Sequence, residues 1–292
     1  MRLRVFHSAT IDLSGSSEGA DIVARLMPQT SALQACEDFA ISARPDSRIS
    51  LERAPGGVIH LISTLQSVSS LEIDTQSVIS TRSRPSEADL RWRSADDDEG
   101  GRERLLGSYG RFLAPTDLAR LSPEAARIGA VAHRQSGPGA ISFLTALTRL
   151  LHRALAYARS AANTSEHGNS VIPLGRHPAR DFLHLMLIVC RLEGIPARYV
   201  SGYLYTGSGP DEPGHYRRFE EGPLQTANGM HGWVECLLPN EQWQGFDPIN
   251  NRIVDDRYVT VHTGRDYSEV EPFSGVPESA LSTLVQVTAE QG

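Results

Sequence analysis

Residues 179–192 (ARDFLHLMLIVCRL) are strongly apolar, begin behind Pro178 and stop at Gly194 and Pro196. Proline is tolerated at the first helical position because its missing N–H would be unpaired there anyway, and Gly with Pro just beyond ends a helix. The segment predicts a helix, and one this apolar has to be covered by other elements. Strand-like segments follow it. Residues 197–205 (ARYVSGYLY), residues 231–238 (HGWVECLL, with alternating faces) and residues 243–246 predict a small sheet fed by the helix. Two helices precede it. Ser122-Pro123-Glu124 reads as an N-cap followed by Pro, opening a helix to about His133, and Gly137-Pro138-Gly139 breaks it. Residues 140–159 carry Phe143, Leu144, Leu147, Leu150, Leu151, Leu155 and Tyr157 at helical spacing. Residues 160–176 and 206–229 read as loops.

The first 80 residues have a different rhythm. Leu3, Val5 and His7 alternate with Arg4 and Phe6. Residues 39–43, 49–53, 58–62 and 71–80 are further short β-rich segments, separated by turn signals such as Arg44-Pro45-Asp46 and Pro55-Gly56-Gly57. The predicted fold is α+β. A β-sandwich-like domain over 1–80 is joined by a charged linker over 81–104 to a helix-and-sheet core over 105–275, with a tail over 276–292. The linker assignment rests on the Arg, Ser, Asp and Glu content of Thr81 to Gly101, a composition that solvates well and buries poorly.

Composition narrows the function. The net charge of −7 argues against a nucleic-acid partner, which needs a basic face to displace counterions. No run of apolar residues reaches membrane-spanning length and no secretory pattern follows the first residues, so a cytoplasmic location without membrane association is expected. Three cysteines with no C-x-x-C indicate neither a disulfide framework nor a zinc ribbon. Ten histidines are present, but none sits in an H-E-x-x-H or a Cys/His pair at zinc spacing, and no Gly-rich phosphate loop is visible. Neither metal nor cofactor is expected.

Several motifs in the second half belong together: residues 191–203 (RLEGIPARYVSGY), Met230-His231-Gly232-Trp233-Val234-Glu235 and Gly245-Phe246-Asp247-Pro248-Ile249-Asn250. With Gly264-Arg265-Asp266-Tyr267, Pro272 and Gly275 near the end, the chain resembles the transglutaminase-like family, a branch of the papain-like thiol enzymes. The bacterial subgroup also has an N-terminal β domain. The resemblance implies nucleophilic catalysis at an amide or ester carbonyl: a Cys at a helix N-terminus, a His that takes its proton and an Asp that orients the His. The His and Asp positions match His231 and Asp247.

The Cys position matches Ala179. The family reads roughly Gly-Val-Cys-Gln-Asp-Phe-Ala-His, where this chain reads His177-Pro178-Ala179-Arg180-Asp181-Phe182-Leu183-His184. Asp181, Phe182 and His184 hold the register. Alanine offers no nucleophile, so no acyl-enzyme can form through it. Either a natural protein has lost its thiol or a thiol was replaced by alanine; the family's Gly, Val and Gln are also absent, at His177, Pro178 and Arg180, which favours natural loss. Cys190 and Cys236 sit in apolar segments and read as buried. Cys36-Glu37-Asp38-Phe39-Ala40 mimics the family motif but lies among strands. Ala179, His231 and Asp247 are expected to converge. The remaining pocket is expected to bind a carboxylate or peptide carbonyl, using Arg180 and the helix N-terminus, with Trp233 and Tyr203 as walls. Three functions follow: a non-catalytic binder of a peptide or protein, an active thiol acyltransferase or protease disabled at Ala179, or an enzyme using His231 for other chemistry. Nothing in the sequence sets the oligomeric state.

Overall fold

A computed structural model describes residues 1–14, 19–64, 66–82, 107–163, 178–207 and 229–290. Six strands come first: β1 (Arg2–Asp12), β2 (Asp21–Ala24), β3 (Gln34–Arg44), β4 (Arg48–Ala54), β5 (Gly57–Ser63) and β6 (Ser70–Thr81). Three helices follow, α1 (Pro123–Gln135), α2 (Ala140–Asn163) and α3 (Pro178–Leu192). The chain then runs through β7 (Ala197–Leu204), β8 (His231–Leu237), β9 (Trp243–Asp247), β10 (Arg252–Ile253), β11 (Tyr258–Gly264), α4 (Tyr267–Val270), β12 (Phe273–Ser274) and β13 (Leu281–Ala289). The fold is α+β. Most of the predicted charged linker, the His177 position and most of the loop between β7 and β8 lie outside the described residues. Among the described residues, no helix is long and apolar enough to cross a membrane.

Two four-stranded antiparallel sheets, ordered β13-β1-β6-β3 and β12-β2-β5-β4, face each other. Ala9, Ile11, Leu71 and Ile73 of the first pack on Ile22, Ala24 and Ile62 of the second. The period of two along β1 selects this face: Leu3, Val5, His7, Ala9 and Ile11 are all buried while their neighbours are not. β1 nevertheless serves two interfaces. Leu3 and Val5 pack with Tyr203, Val259 and Val261 of the core sheet, whereas Ala9 and Ile11 belong to the sandwich interior. His7 lies between the two sets.

The core sheet is ordered β10-β9-β8-β7-β11, and α1, α2 and α3 cover one side of it. α1 starts as predicted, with Ser122 Oγ accepting from the Ala125 N–H at 3.2 Å and Pro123 in the first turn. α3 is the most buried helix: Phe182, Leu183, Met186, Leu187, Val189 and Cys190 are at most 1% exposed. Cys190 on α3 and Cys236 on β8 meet in this core with Sγ atoms 3.6 Å apart, in keeping with buried packing thiols.

The tail expected over 276–292 does not hold. Leu281–Ala289 is a strand that pairs antiparallel with β1, from Leu3↔Ala289 to Ile11↔Leu281. Phe273 and Ser274 likewise pair with Ala24 and Val23 of β2. The final segment thus completes both sandwich sheets, whose other strands lie at the opposite end of the chain. Local pattern carries no record of a partner so far away.

Candidate active site

β8 and β9 are adjacent antiparallel strands, with Val234 opposite Phe246. Their geometry brings the start of β8 beside the end of β9, where His231 and Asp247 stand. His231 Nε2 lies 2.7 Å from Asp247 Oδ2. The His231 side chain is 1% exposed and that of Asp247 0%. Asp247 is held on both oxygens. Oδ2 also accepts from Asn250 Nδ2 at 2.7 Å and from the Tyr258 hydroxyl at 2.9 Å, and Oδ1 accepts the backbone N–H groups of Ile249 and Asn250 at 2.9 and 3.1 Å. The latter two bonds make an Asx turn that ends β9. His152 on α2 braces that turn, its Nδ1 donating to the carbonyls of Pro248 and Ile249, each at 3.1 Å.

Burial alone would raise the Asp247 pKa. The charge and hydrogen bond of His231, with the bonds from Asn250 and Tyr258, outweigh it and hold the carboxyl below its ordinary value. Burial and the nearby Asp247 charge push the Tyr258 phenol well up, so it stays a donor. A carboxylate can only accept, so His231 Nε2 carries a proton and, in the neutral ring, Nδ1 is a bare lone pair. Nδ1 is buried and has no partner among the described residues. Asp247 thus orients the imidazole, whose other ring nitrogen is without a partner among the described residues.

A cavity of about 930 Å³ opens beside it. Ala179 and Arg180 at the head of α3 line it, as do His231, Tyr199, Ser201 and, across the space, Phe273 and the 281–285 stretch of β13. Ala179 and His231 therefore share one cavity. Arg180 is less free than expected. It donates to Glu278 Oε1 at 3.1 Å and its guanidinium sits 3.6 Å above the Tyr267 ring, while Glu271 adds a carboxylate to the lining. The site is thus less suited to an anion than a lone arginine at a helix start implies.

The two aromatic walls are misassigned by the sequence. Trp233 is fully buried among Val200, Leu204, Val254 and Tyr258 and does not line the cavity. It shares the inward face of β8 with His231 and lies beneath it, with ring centroids 6.2 Å apart. Two motif glycines make room for the indole: a Cβ on Gly202 would come within 2.5 Å of it, and one on Gly245 within 3.2 Å. Tyr203 is likewise buried, in the contact between the core sheet and β1. Both are packing residues on opposite faces of the core sheet: Trp233 packs with Val200 and Leu204, and Tyr203 with Val259 and β1. Conversely, the sequence reading gave Asn250, Tyr258 and His7 no role. Asn250 carried a signal, since Asp-Pro-x-Asn is a turn in which Asx side chains bond their own backbone. Tyr258 and His7 come from distant strands and carried none.

Cys36 sits on β3 in the sandwich. Burial and then Asp38 raise its thiol pKa, the reverse of activation. His184, in register with the family motif, is buried, and its Nε2 accepts the Tyr267 N–H at 3.3 Å.

The start of α3 and the oriented His231 thus line one cavity of an α+β fold, and comparison with known proteins finds similar chains. A model of the transglutaminase-like superfamily matches residues 130–248 of the chain. An uncharacterized protein of Mycobacterium leprae (strain TN) is 25% identical over 99% of this chain and 98% of its own. An uncharacterized protein of Mycobacterium tuberculosis (strain ATCC 25618 / H37Rv) is 32% identical over 46% of this chain and 43% of its own length. A crystal structure of a "Putative Cysteine Protease from Cytophaga hutchinsonii" superimposes with a TM-score of 0.69 at 16% identity, over 100% of this chain and 91% of that one, a likeness of fold.

Proposed function

We propose that this chain is a transglutaminase-like protein that binds a peptide or protein segment in the cavity beside His231 without turning it over. The observation that carries the reading is the pairing of a complete His231–Asp247 unit with Ala179 on the same cavity. Base and orienter are in place, and the position that the family resemblance gives to the nucleophile has no sulfur. In an active relative the thiolate would attack the carbonyl while the His moved the proton to the leaving group. Here His231 Nδ1 has no thiol to deprotonate, and the cavity retains only its capacity to bind. Ala179, His231 and Asp247 are the catalytic-type positions under this reading, and Arg180 a substrate-side residue.

The intact Asp247 network supports a second reading, in which His231 acts as general base for water or a bound substrate. One experiment separates them. The unmodified chain, His231→Ala and Ala179→Cys are assayed with p-nitrophenyl acetate and a fluorogenic peptide amide. The binding reading expects no turnover above background in the first two and turnover, if any, only in Ala179→Cys. Turnover by the unmodified chain that disappears in His231→Ala overturns it in favour of the second.

A further inference from the structure

We infer that His7, on β1 of the sandwich, is a ligand-binding residue of this cavity: its Nε2 accepts a hydrogen bond from an N–H donor of whatever the cavity holds. The inference rests on the binding site proposed above and adds to it a residue from outside the transglutaminase-like region. His7 lines the cavity, is 1% exposed, and has an Nε2 that is buried and without a partner among the described residues. A buried acceptor left unpaired costs free energy, so such an atom asks for a partner that the described residues do not supply.

Hydrogen-bond logic determines which kind of partner. The Tyr203 hydroxyl lies 3.2 Å from the Leu26 carbonyl oxygen and 3.1 Å from His7 Nδ1. A carbonyl cannot donate, so the single phenolic proton goes to Leu26. The hydroxyl oxygen must then accept from His7, which places the His7 proton on Nδ1. Burial holds the His7 pKa down to about 4, so the ring is neutral at ordinary pH and Nε2 is a bare lone pair. His231 Nδ1 is a second buried ring nitrogen without a partner among the described residues, on a residue that lines the same cavity. The cavity thus presents an imidazole acceptor from the sandwich, on His7. Arg180, the one arginine that lines it among the described residues, is engaged by Glu278 and Tyr267. Amide or amine N–H groups meet the His7 acceptor; a carboxylate would face its lone pair.

The position of His7 explains why β1 can reach the site. It falls where the strand passes from packing on the core sheet to packing in the sandwich, and its ring lies 5.9 Å from those of both Tyr203 and Phe273. The two ring contacts and the Tyr203 bond fix its orientation.

The test uses the full chain labelled with nitrogen-15 histidine, and three small probes of similar size: acetamide, which has N–H donors, methyl acetate, which is neutral and has none, and acetate. In the free protein the His7 nitrogens should report a proton on Nδ1 and a bare Nε2. Acetamide should shift the Nε2 resonance saturably, and methyl acetate and acetate should not. His7→Asn keeps a donor near the Nδ1 position for Tyr203 but removes Nε2, and should weaken acetamide about threefold to tenfold, the usual worth of one net hydrogen bond. A His7 ring protonated on Nε2 overturns the inference even if His7→Asn does not fold. So does equal response to all three probes, the absence of any response up to the solubility of acetamide, or unchanged affinity in His7→Asn. An acetamide response confined to His231, or rapid alkylation of Ala179→Cys with a silent His7, removes His7 while leaving the proposed site standing.

Discussion

Two five-residue segments of this chain look alike and do opposite things. Cys36-Glu37-Asp38-Phe39-Ala40 lies on β3 of the sandwich, and Ala179-Arg180-Asp181-Phe182-Leu183 opens α3. Phe39 is half-buried and stacks on His60 with centroids 5.3 Å apart, whereas Phe182 is 1% exposed in the main core. Cys36 sits where burial and Asp38 disfavour a thiolate, and Ala179 sits where a helix start and His231 would favour one. The segment that retains the sulfur lacks the surroundings that would activate it, and the segment that has the surroundings lacks the sulfur. Reactivity belongs to the place in the fold and not to the short motif.

The sharpest way to break this comparison is to truncate the two phenylalanines. Phe182→Ala should cost about 3–5 kcal/mol, as for a fully buried ring that leaves a cavity, and Phe39→Ala about 1 kcal/mol or less. Denaturant midpoints of the two variants measure it; equal losses would mean that the two segments are not packed as described.

Acid should act on buried histidines of both halves and of the contact between them. His7, His184 and His262 have pKa values lowered to about 4, in each case chiefly by burial. Their unfolded values lie near 6.5, so between about pH 6.5 and 4 the unfolded chain binds more protons. Stability is therefore complete above that window and falls as the pH drops through it, by up to about 3 kcal/mol for each group. Urea unfolding at pH 7, 5.5 and 4.5 should show the decline, and His262→Gln should remove about a third of it. Identical curves across the window would contradict the buried neutral state. The Pro55-Gly56-Gly57 turn rests against His262, since a Cβ on Gly57 would come within 2.5 Å of its ring, so this loss should be felt where sandwich meets core.

A smaller effect separates the two sulfur positions directly. A thiol introduced by Ala179→Cys should be alkylated by iodoacetamide on the order of tenfold faster than Cys36 near neutral pH, because a helix N-terminus and a neighbouring imidazole lower a thiol pKa. Peptide mass spectrometry of partly labelled protein reads the ratio. Rates no higher than that of Cys36 would show that the site no longer activates sulfur. The smallest change is expected for Arg180→Ala, which removes the pair with half-exposed Glu278 and should cost less than about 1 kcal/mol in thermal unfolding. A loss several times larger would mark Arg180 as a structural support of the α3 start.

Elements built from contiguous patterns were legible in the residues. The three helices announced themselves by apolar spacing, by Ser122-Pro123 and by Gly194 with Pro196. The alternation of Leu3, Val5 and His7, and the Pro55-Gly56-Gly57 turn, marked strands and a hairpin. His231 and Asp247 were found through motifs whose spacing suits two adjacent antiparallel strands, and they do meet at 2.7 Å. The direction of buried aromatics was less legible. Trp233 and Tyr203 are as consistent with a pocket wall as with a core until their cover is known, and that cover comes from β1, Val254 and β11.

By itself, then, the sequence determined the three long helices and the strands marked by alternation or turns, which two side chains form the His–Asp pair, and that Ala179 brings no sulfur. These follow from periodicity, capping and side-chain chemistry, all of which act over a few residues or within a recognisable motif. Tertiary structure alone decided that 281–289 closes the first sandwich sheet against β1, that Tyr258 and Asn250 hold Asp247, and that His7 lines the cavity with its Nε2 unpartnered among the described residues. Each of these depends on groups brought together by burial of distant apolar faces. That burial is non-directional, so no local pattern encodes which distant surface a strand will meet.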